Sequence, residues 1–205
     1  MVEFSDCLFI QFARLPVIGS VKTRLIPALG EEGACQLHVD LMQHCCRRLL
    51  AAGLAPVELW LDSEGHHPSV SACEALGAVP RLQLGDSLGE RMQSALQDGL
   101  ARYERVILVG SDCPAIDEPY LRQAYSALAD APVVFGEATD GGYVLIGARQ
   151  TDRRLFVGVN WGAGSVLSES LANIERLGWS ALVLPALSDI DRAEDLPLWQ
   201  EYQAN

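Results

Sequence analysis

At 205 residues with 49% hydrophobic content, the chain is long enough to bury one substantial core, and no compositional break divides it, so residues 1–205 are read as a single domain. A formal charge of -12 argues against a polyanionic partner such as DNA or RNA, which requires a basic face. No apolar stretch reaches the roughly 18 residues of a membrane span, and Met1-Val2-Glu3-Phe4-Ser5-Asp6 carries two acids where a secretory leader carries basic residues, so a cytoplasmic chain is expected.

In chain order, residues 8–13 form a nearly continuous apolar run closed by a Pro and Gly loop, the pattern of a strand buried on both faces. Over residues 31–52, Ala34, Leu37, Leu41, Cys45 and Leu49 recur at steps of three and four, which predicts a helix ended by Gly53. Residues 56–61 predict a strand, followed by a polar loop with His66 and His67, a short helix over 69–76 and a strand over 79–84. An amphipathic helix over 88–103, with Leu88, Met92, Ala95, Leu96 and Leu100 on one side, feeds a core strand over 105–109. Further on come a helix over 120–128, strands over 133–135 and 143–146, a helix over 166–177 and a strand over 181–184. Trp199 and Tyr202, in an otherwise polar C-terminal tail, read either as a docking helix or as an interface such as that of a homodimer.

This alternation predicts an α/β fold: a three-layer αβα sandwich with a mostly parallel sheet, helices on both faces and right-handed crossovers. The cysteines, Cys7, Cys35, Cys45, Cys46, Cys73 and Cys113, contain no Cys-x-x-Cys pair and no histidines at zinc-ligand spacing, so free thiols are expected.

Cations and carboxylates fall at predicted strand ends, where open α/β sheets bind ligands. Arg14, Lys22 and Arg24 follow the first strand, in a loop shaped by Pro16 and Gly19; guanidinium forks and an ammonium point charge suit phosphates, although a solvated basic loop is the plain alternative. The spacing is not that of a P-loop, and no Gly-x-Gly-x-x-Gly is present. Asp112 stands at the tip of the 105–109 strand, either as an oxygen ligand for a hard cation or as a cap for the segment 115–118. Asp189 and Asp191 face the same side of an extended segment and can share a metal; alternatively Asp191 caps a helix near Ala193. Asp140-Gly141-Gly142-Tyr143 sets a carboxylate beside two residues without side chains, so that a ligand can approach the backbone. No Gly-x-Ser-x-Gly elbow exists, His38, His44, His66 and His67 have no placed acid partner, and Cys113 is read as packing. Taken together, the inventory suits phosphates bridged by a divalent metal.

Several motifs in order resemble the nucleotide-diphospho-sugar transferase superfamily with the GT-A fold: Phe12-Ala13-Arg14-x-Pro16-x-x-Gly19-x-x-Lys22-Thr23-Arg24-Leu25, Gln83 through Leu88-Gly89-Glu90-Arg91-Met92, Gly110-Ser111-Asp112-Cys113-Pro114, Asp140-Gly141-Gly142-Tyr143, and Asp189-Ile190-Asp191. The chain is more closely similar to a bacterial glycosyltransferase-like branch of that superfamily, some members of which are associated with radical-SAM and selenium proteins. Departures from its pattern are Asn160-Trp161-Gly162-Ala163-Gly164, where the family tends to have Trp-Ser-Thr, and Glu137, where a proline is expected. The resemblance implies a nucleotide held by Arg14, Gly19, Lys22, Thr23, Arg24 and Ser111. It implies Mg2+ or Mn2+ on Asp112 with Asp189 or Asp191, and an unknown acceptor near Asp140, Gly141, Gly142, Tyr143 and Trp161, with Asp140 and Lys22 as catalytic residues.

The expected activity is metal-dependent glycosyl transfer from a nucleoside-diphosphate sugar. Its alternatives are nucleotidyl transfer from a nucleoside triphosphate, releasing pyrophosphate, and a nucleotide-binding module without turnover.

Overall fold

The computed structural model describes residues 3–204. Met1 and Val2 of the N-terminal reading lie outside the described residues. Seven strands, β1 (Cys7–Ala13), β2 (Val57–Leu61), β3 (Val79–Leu82), β4 (Arg105–Val109), β5 (Val133–Ala138), β6 (Tyr143–Ala148) and β7 (Ala181–Leu187), form one sheet in the order β3-β2-β1-β4-β6-β5-β7. All neighbours pair in parallel except β6, which runs antiparallel to both β4 and β5. Six helices complete the α/β sandwich: α1 (Ile26–Ala52), α2 (Pro68–Ala75), α3 (Leu88–Leu100), α4 (Glu118–Ala127), α5 (Val166–Arg176) and α6 (Leu196–Ala204). Among the described residues, no helix is long and apolar enough to cross a membrane.

Strand alternation builds the layers. On β1, Cys7, Phe9 and Ala13 pack into a core shared with α1, α2 and α4, while Leu8, Ile10 and Phe12 pack into a second core under α3 and α5. Because both faces are covered, β1 is buried along its whole length, which is why it reads as an apolar run interrupted only by Gln11. A third, smaller cluster joins α6 to α1 through Leu25, Leu37, Leu41, Ile190 and Trp199. Trp199 is therefore part of a docking helix, and Tyr202 meets the His44 ring edge-on beside it.

Element ends depart from the sequence reading for local reasons. α1 begins at Ile26, but Gly30 (φ 72, ψ 170) interrupts it, so its regular part starts where the apolar periodicity starts. Gly53 terminates it in the left-handed conformation (φ 63). A 3-10 turn over Arg153–Phe156, capped by Asp152, was not predicted; it is too short to show a period.

One buried charge ties the edge of the sheet to a helix. Glu58 on β2 is enclosed and accepts hydrogen bonds from Arg102 Nη1 (2.8 Å), Arg102 Nη2 (3.1 Å) and Trp60 Nε1 (3.0 Å). Burial pushes its carboxyl up, but the Arg102 and Trp60 hydrogen bonds outweigh this and hold it below its ordinary value of 4.5. Its stabilising contribution is thus full above pH 4.5 and is lost as pH falls through the lower folded value. Glu58→Gln is expected to cost roughly 3 kcal/mol at pH 7, the low end for a broken buried pair, since Arg102 keeps Asp98. Urea unfolding from pH 7 to 3 should show a steeper acid loss for the wild type than for the variant.

Candidate active site

The order of the sheet reverses between β1 and β4, and at this point the carboxyl ends of the strands open into a crevice. Two adjoining cavities occupy it, a polar cleft of about 700 Å³ and a smaller, mostly apolar one of about 250 Å³. They share Phe12, Leu88, Gly110 and Asp112 as a common wall.

Lys22 organises the polar cleft. It adopts the left-handed conformation (φ 49, ψ 40), unusual for a residue with a side chain, and is almost wholly enclosed, its side chain 3% exposed. Its ammonium donates to the Ile190 carbonyl (2.5 Å) and pairs with Asp112 Oδ2 (2.9 Å) and Asp191 Oδ1 (3.7 Å). The sequence reading gave Lys22 directly to phosphate; the structure commits it to two carboxylates and a carbonyl instead. Two cations of this loop stay within reach of an anion: Arg24, 57% exposed and paired with Asp191, and Arg14, 64% exposed, beside Asp62 (3.6 Å) and donating to the Ser20 carbonyl. Thr23 is exposed on the same wall.

Neither aspartate suspected of helix capping performs that role. Asp117 caps α4 by accepting from the Tyr120 N–H (2.9 Å), which leaves the Asp112 carboxylate to Lys22 and the shared wall. Asp195 reaches back to the N–H groups of Asp191 and Arg192 (3.0 and 2.7 Å) and takes the capping duty expected of Asp191. Asp189 and Asp191 do not share a site. Ile190 between them is fully buried, its N–H donating to the Asp112 carbonyl (2.8 Å), and the two carboxylates part on either side of Asp112, Asp189 into the small cavity and Asp191 into the polar cleft. Among the described residues, no group of three or more His, Cys, Asp or Glu is arranged to hold a metal ion by itself.

Other predicted residues serve the loop frame. Gly19 (φ 77) makes the turn in which the Ser20 N–H bonds to the Val17 carbonyl, and it lines neither cavity. Ser111 reaches the polar cleft, but its hydroxyl faces inward, accepting from Gln11 Nε2 (2.8 Å) and donating to the Phe12 carbonyl (2.8 Å). Sequence reasoning left out several cleft residues. Gln83 donates to the Ala13 and Trp60 carbonyls (3.2 and 2.8 Å), His38 contacts the Arg14 carbonyl (2.9 Å), and Arg91 projects from the first turn of α3. Burial lowers the His38 pKa from its ordinary value. The Ser87-x-x-Glu90 capping box was the available signal for Arg91, because it places the start of α3, and so its first turn, at this edge. Leu88 also belongs here: assigned to the buried helix stripe, it is 46% exposed and lines both cavities.

The small cavity lies under the Asp140 turn. Asp140 Oδ1 accepts from the Gly142 N–H (2.9 Å), a local Asx turn that leaves its second oxygen free. Gly142, Tyr143 and Trp161 line the cavity, with the Tyr143 and Trp161 rings edge to face at 6.4 Å between centroids. Gly141 does not admit a ligand as expected. It is at φ 88, a Cβ built on it would lie 2.2 Å from the Gly164 carbonyl oxygen, and its own carbonyl accepts from the Leu167 N–H. Its bareness lets the Asp140 turn seat against the 162–164 loop. Asp189 is half-buried, and burial, then repulsion from Asp140 and Asp112, pushes its carboxyl up to about 6. Cys113 is buried, which pushes its thiol up to about 12 and fits its packing role. The other described cysteines are likewise buried and free.

Comparisons with known proteins agree with this fold. The model of a family described as uncharacterized proteins conserved in bacteria (DUF2064) matches residues 43–163. A provisionally assigned nucleotide-diphospho-sugar transferase of Desulfovibrio desulfuricans G20 superposes with a TM-score of 0.86 at 30% identity, covering 98% of this chain and 89% of that one. CMP:2-keto-3-deoxy-manno-octonic acid synthetase, complexed with CTP, shares the fold at a TM-score of 0.60 and 14% identity, over 98% of this chain and 99% of that one. So does 4-diphosphocytidyl-2C-methyl-D-erythritol synthase of Anaerococcus prevotii DSM 20548, at 0.61 and 10%, over 100% and 98%. No curated protein matches the sequence.

The two turn glycines of the small cavity make a paired prediction. Gly162→Ala, at φ 87 with open space around it, should cost only the left-handed strain of about 1–2 kcal/mol. Gly141→Ala adds a collision with the backbone of Gly164 and should cost at least twice as much by urea unfolding, with a shift in tryptophan emission as the loop carrying Trp161 lifts.

Proposed function

The chain belongs to the DUF2064 family, and we propose that it is a metal-dependent transferase that binds a nucleotide-activated donor in the polar cleft and an acceptor in the aromatic cavity, transferring a glycosyl group from a nucleoside-diphosphate sugar. The observation that carries this reading is the common wall: Asp112 and Gly110 separate a cleft equipped with cations from a cavity walled by rings. A donor whose phosphates lie along Arg14, Arg24 and Arg91 would present its reactive carbon beside Asp112, facing the cavity. Thirty per cent identity to the Desulfovibrio protein over 98% of this chain supports the superfamily assignment.

Asp112, with Asp189 across the wall, fits Mg2+ or Mn2+ of the kind that keeps several waters and is completed by substrate phosphates, rather than a cage built of protein ligands alone. Burial, and then repulsion from Asp140 and Asp112, raises the Asp189 carboxyl, and a cation bound beside these carboxylates would relieve the repulsion. Bound there, the metal would neutralise charge on the departing diphosphate. The rest falls to the chain. Arg24 and Arg14 hold the phosphates, Lys22 fixes Asp112 in place, and Asp140 orients the acceptor. The acceptor nucleophile forms a bond to the anomeric carbon as the bond to the diphosphate oxygen breaks. Its proton passes to Asp140, and the nucleoside diphosphate leaves.

A second reading keeps the site and changes the bond broken. Three guanidiniums along one cleft also match a triphosphate, and attack at its α-phosphorus would release pyrophosphate. A thermal-shift panel of nucleotide sugars and nucleoside triphosphates, each with Mg2+, Mn2+ or EDTA, separates the two. The expected result is a metal-dependent shift with a nucleotide sugar, reduced at least tenfold in apparent affinity by Arg24→Ala and abolished by Asp112→Asn with circular dichroism unchanged. A shift with triphosphates alone, plus pyrophosphate release, moves the assignment to nucleotidyl transfer. No shift with any nucleotide overturns both.

A further inference from the structure

The acceptor side of the crevice carries its own chemical signature. Its walls are apolar and aromatic, with Phe12, Met92, Tyr143 and Trp161 around a volume of about 250 Å³, room for a small molecule such as a substituted benzene. No lysine, arginine or histidine lines it, although three carboxylates do, Asp112, Asp140 and Asp189. The nearest cations belong to the adjoining polar cleft. Lys22 pairs with Asp112 and Asp191, and Arg24 with Asp191. Among the described residues neither Asp140 nor Asp189 forms an ion pair, and Asp140 keeps one oxygen beyond its turn. A divalent cation on Asp112 and Asp189 would still leave Asp140 unmatched, and donor phosphates in the adjoining cleft would add negative charge.

An anionic acceptor would have to shed water beside Asp140 with no partner to receive it. A protonated amine meets the opposite conditions: the Asp140 carboxylate, with one oxygen beyond its turn, and the Tyr143 and Trp161 rings on the lining, aromatic groups of the kind that attract ammonium ions. We infer that the small cavity selects an acceptor bearing a protonated amine on a compact apolar or aromatic body, and excludes phosphorylated and carboxylated acceptors. The word acceptor rests on the transferase reading above; the ligand preference of the cavity does not.

Isothermal titration calorimetry of the full chain at pH 7.5, with and without the nucleotide that shifts its melting, tests this using 2-phenylethylamine, 2-phenylethanol and phenyl phosphate as matched probes. With the nucleotide occupying the polar cleft, so that the guanidiniums there cannot take the probe's phosphate, the amine should bind at least tenfold more tightly than the alcohol and the phosphate should give no heat. Asp140→Asn, which retains the oxygen accepting from Gly142, should bring the amine down to the alcohol's affinity, and Trp161→Ala should weaken both. In that nucleotide-bound titration, equal affinity for amine and alcohol, binding of the phosphate as tight as that of the amine, or no binding of any probe overturns the inference. Amine selectivity without any nucleotide shift retains the cavity's preference and removes the transferase reading, whereas a nucleotide shift without amine selectivity removes the inference alone.

Discussion

The buried ammonium of Lys22 is the contact on which the rest of the crevice depends. Three segments distant in sequence converge on it: the loop after β1, the tip of β4 through Asp112, and the stretch after β7 through Ile190 and Asp191. Two of the ammonium's three donors meet an oxygen within hydrogen-bond reach, the Ile190 carbonyl and Asp112, and Asp191 adds a compensating charge at 3.7 Å, which together meet the condition for burying a charge. The left-handed backbone of Lys22 costs about 1–2 kcal/mol, while hydrogen bonds to charged groups contribute roughly 1.5–3 kcal/mol each, so the strained conformation persists because it delivers the side chain to its partners.

This clamp decides which groups remain available for chemistry. With Lys22 holding one oxygen of Asp112, the other is left at the wall between the cavities, and the exposed guanidiniums of Arg14 and Arg24 become the cations that a ligand meets first. With Ile190 anchored in the α6 cluster and bonded to the Asp112 carbonyl, Asp189 and Asp191 are forced apart. One acidic segment thereby serves two compartments. The docked Trp199 belongs to the same cluster, so the C-terminal helix acts on the crevice through the seating of Ile190.

Much of the architecture was legible because burial writes itself into periodicity. β1 and β4 are covered on both faces and read as apolar runs, and the α1 stripe has the helical period. The clustering of Arg14, Lys22, Arg24, Asp112 and Asp191 at one edge, with Asp140 and Asp189 beside it, follows from strand ends alone. What could not be read was decided by contacts across the chain. Nothing local says that Asp117 and Asp195, rather than Asp112 and Asp191, satisfy the helix ends, or that the bareness of Gly141 answers to Gly164 and not to a ligand. Leu88 fits a helical stripe, yet it stands in the first turn, beyond the covered part of the sheet, and so opens onto the cavities.

Beneath Asp112 a second polar unit keeps the wall from shifting. Gln11, fully buried on β1, donates to the Met42 carbonyl on α1 and to Ser111, whose hydroxyl donates to Phe12, while the Cys45 thiol reaches the Ser111 carbonyl. These bonds join α1, β1 and the end of β4 directly below the carboxylate. Buried polar networks of this kind fix geometry more than they add stability, since each member left unpaired is costly. Asp112 is therefore held from below by Ser111 and its partners and from the side by Lys22. On the transferase reading proposed above, a crevice that brings donor and acceptor to one carbon needs its dividing carboxylate fixed to a fraction of an ångström. The sequence spends its two most unusual choices, a buried glutamine in a core strand and a left-handed buried lysine, on that one requirement.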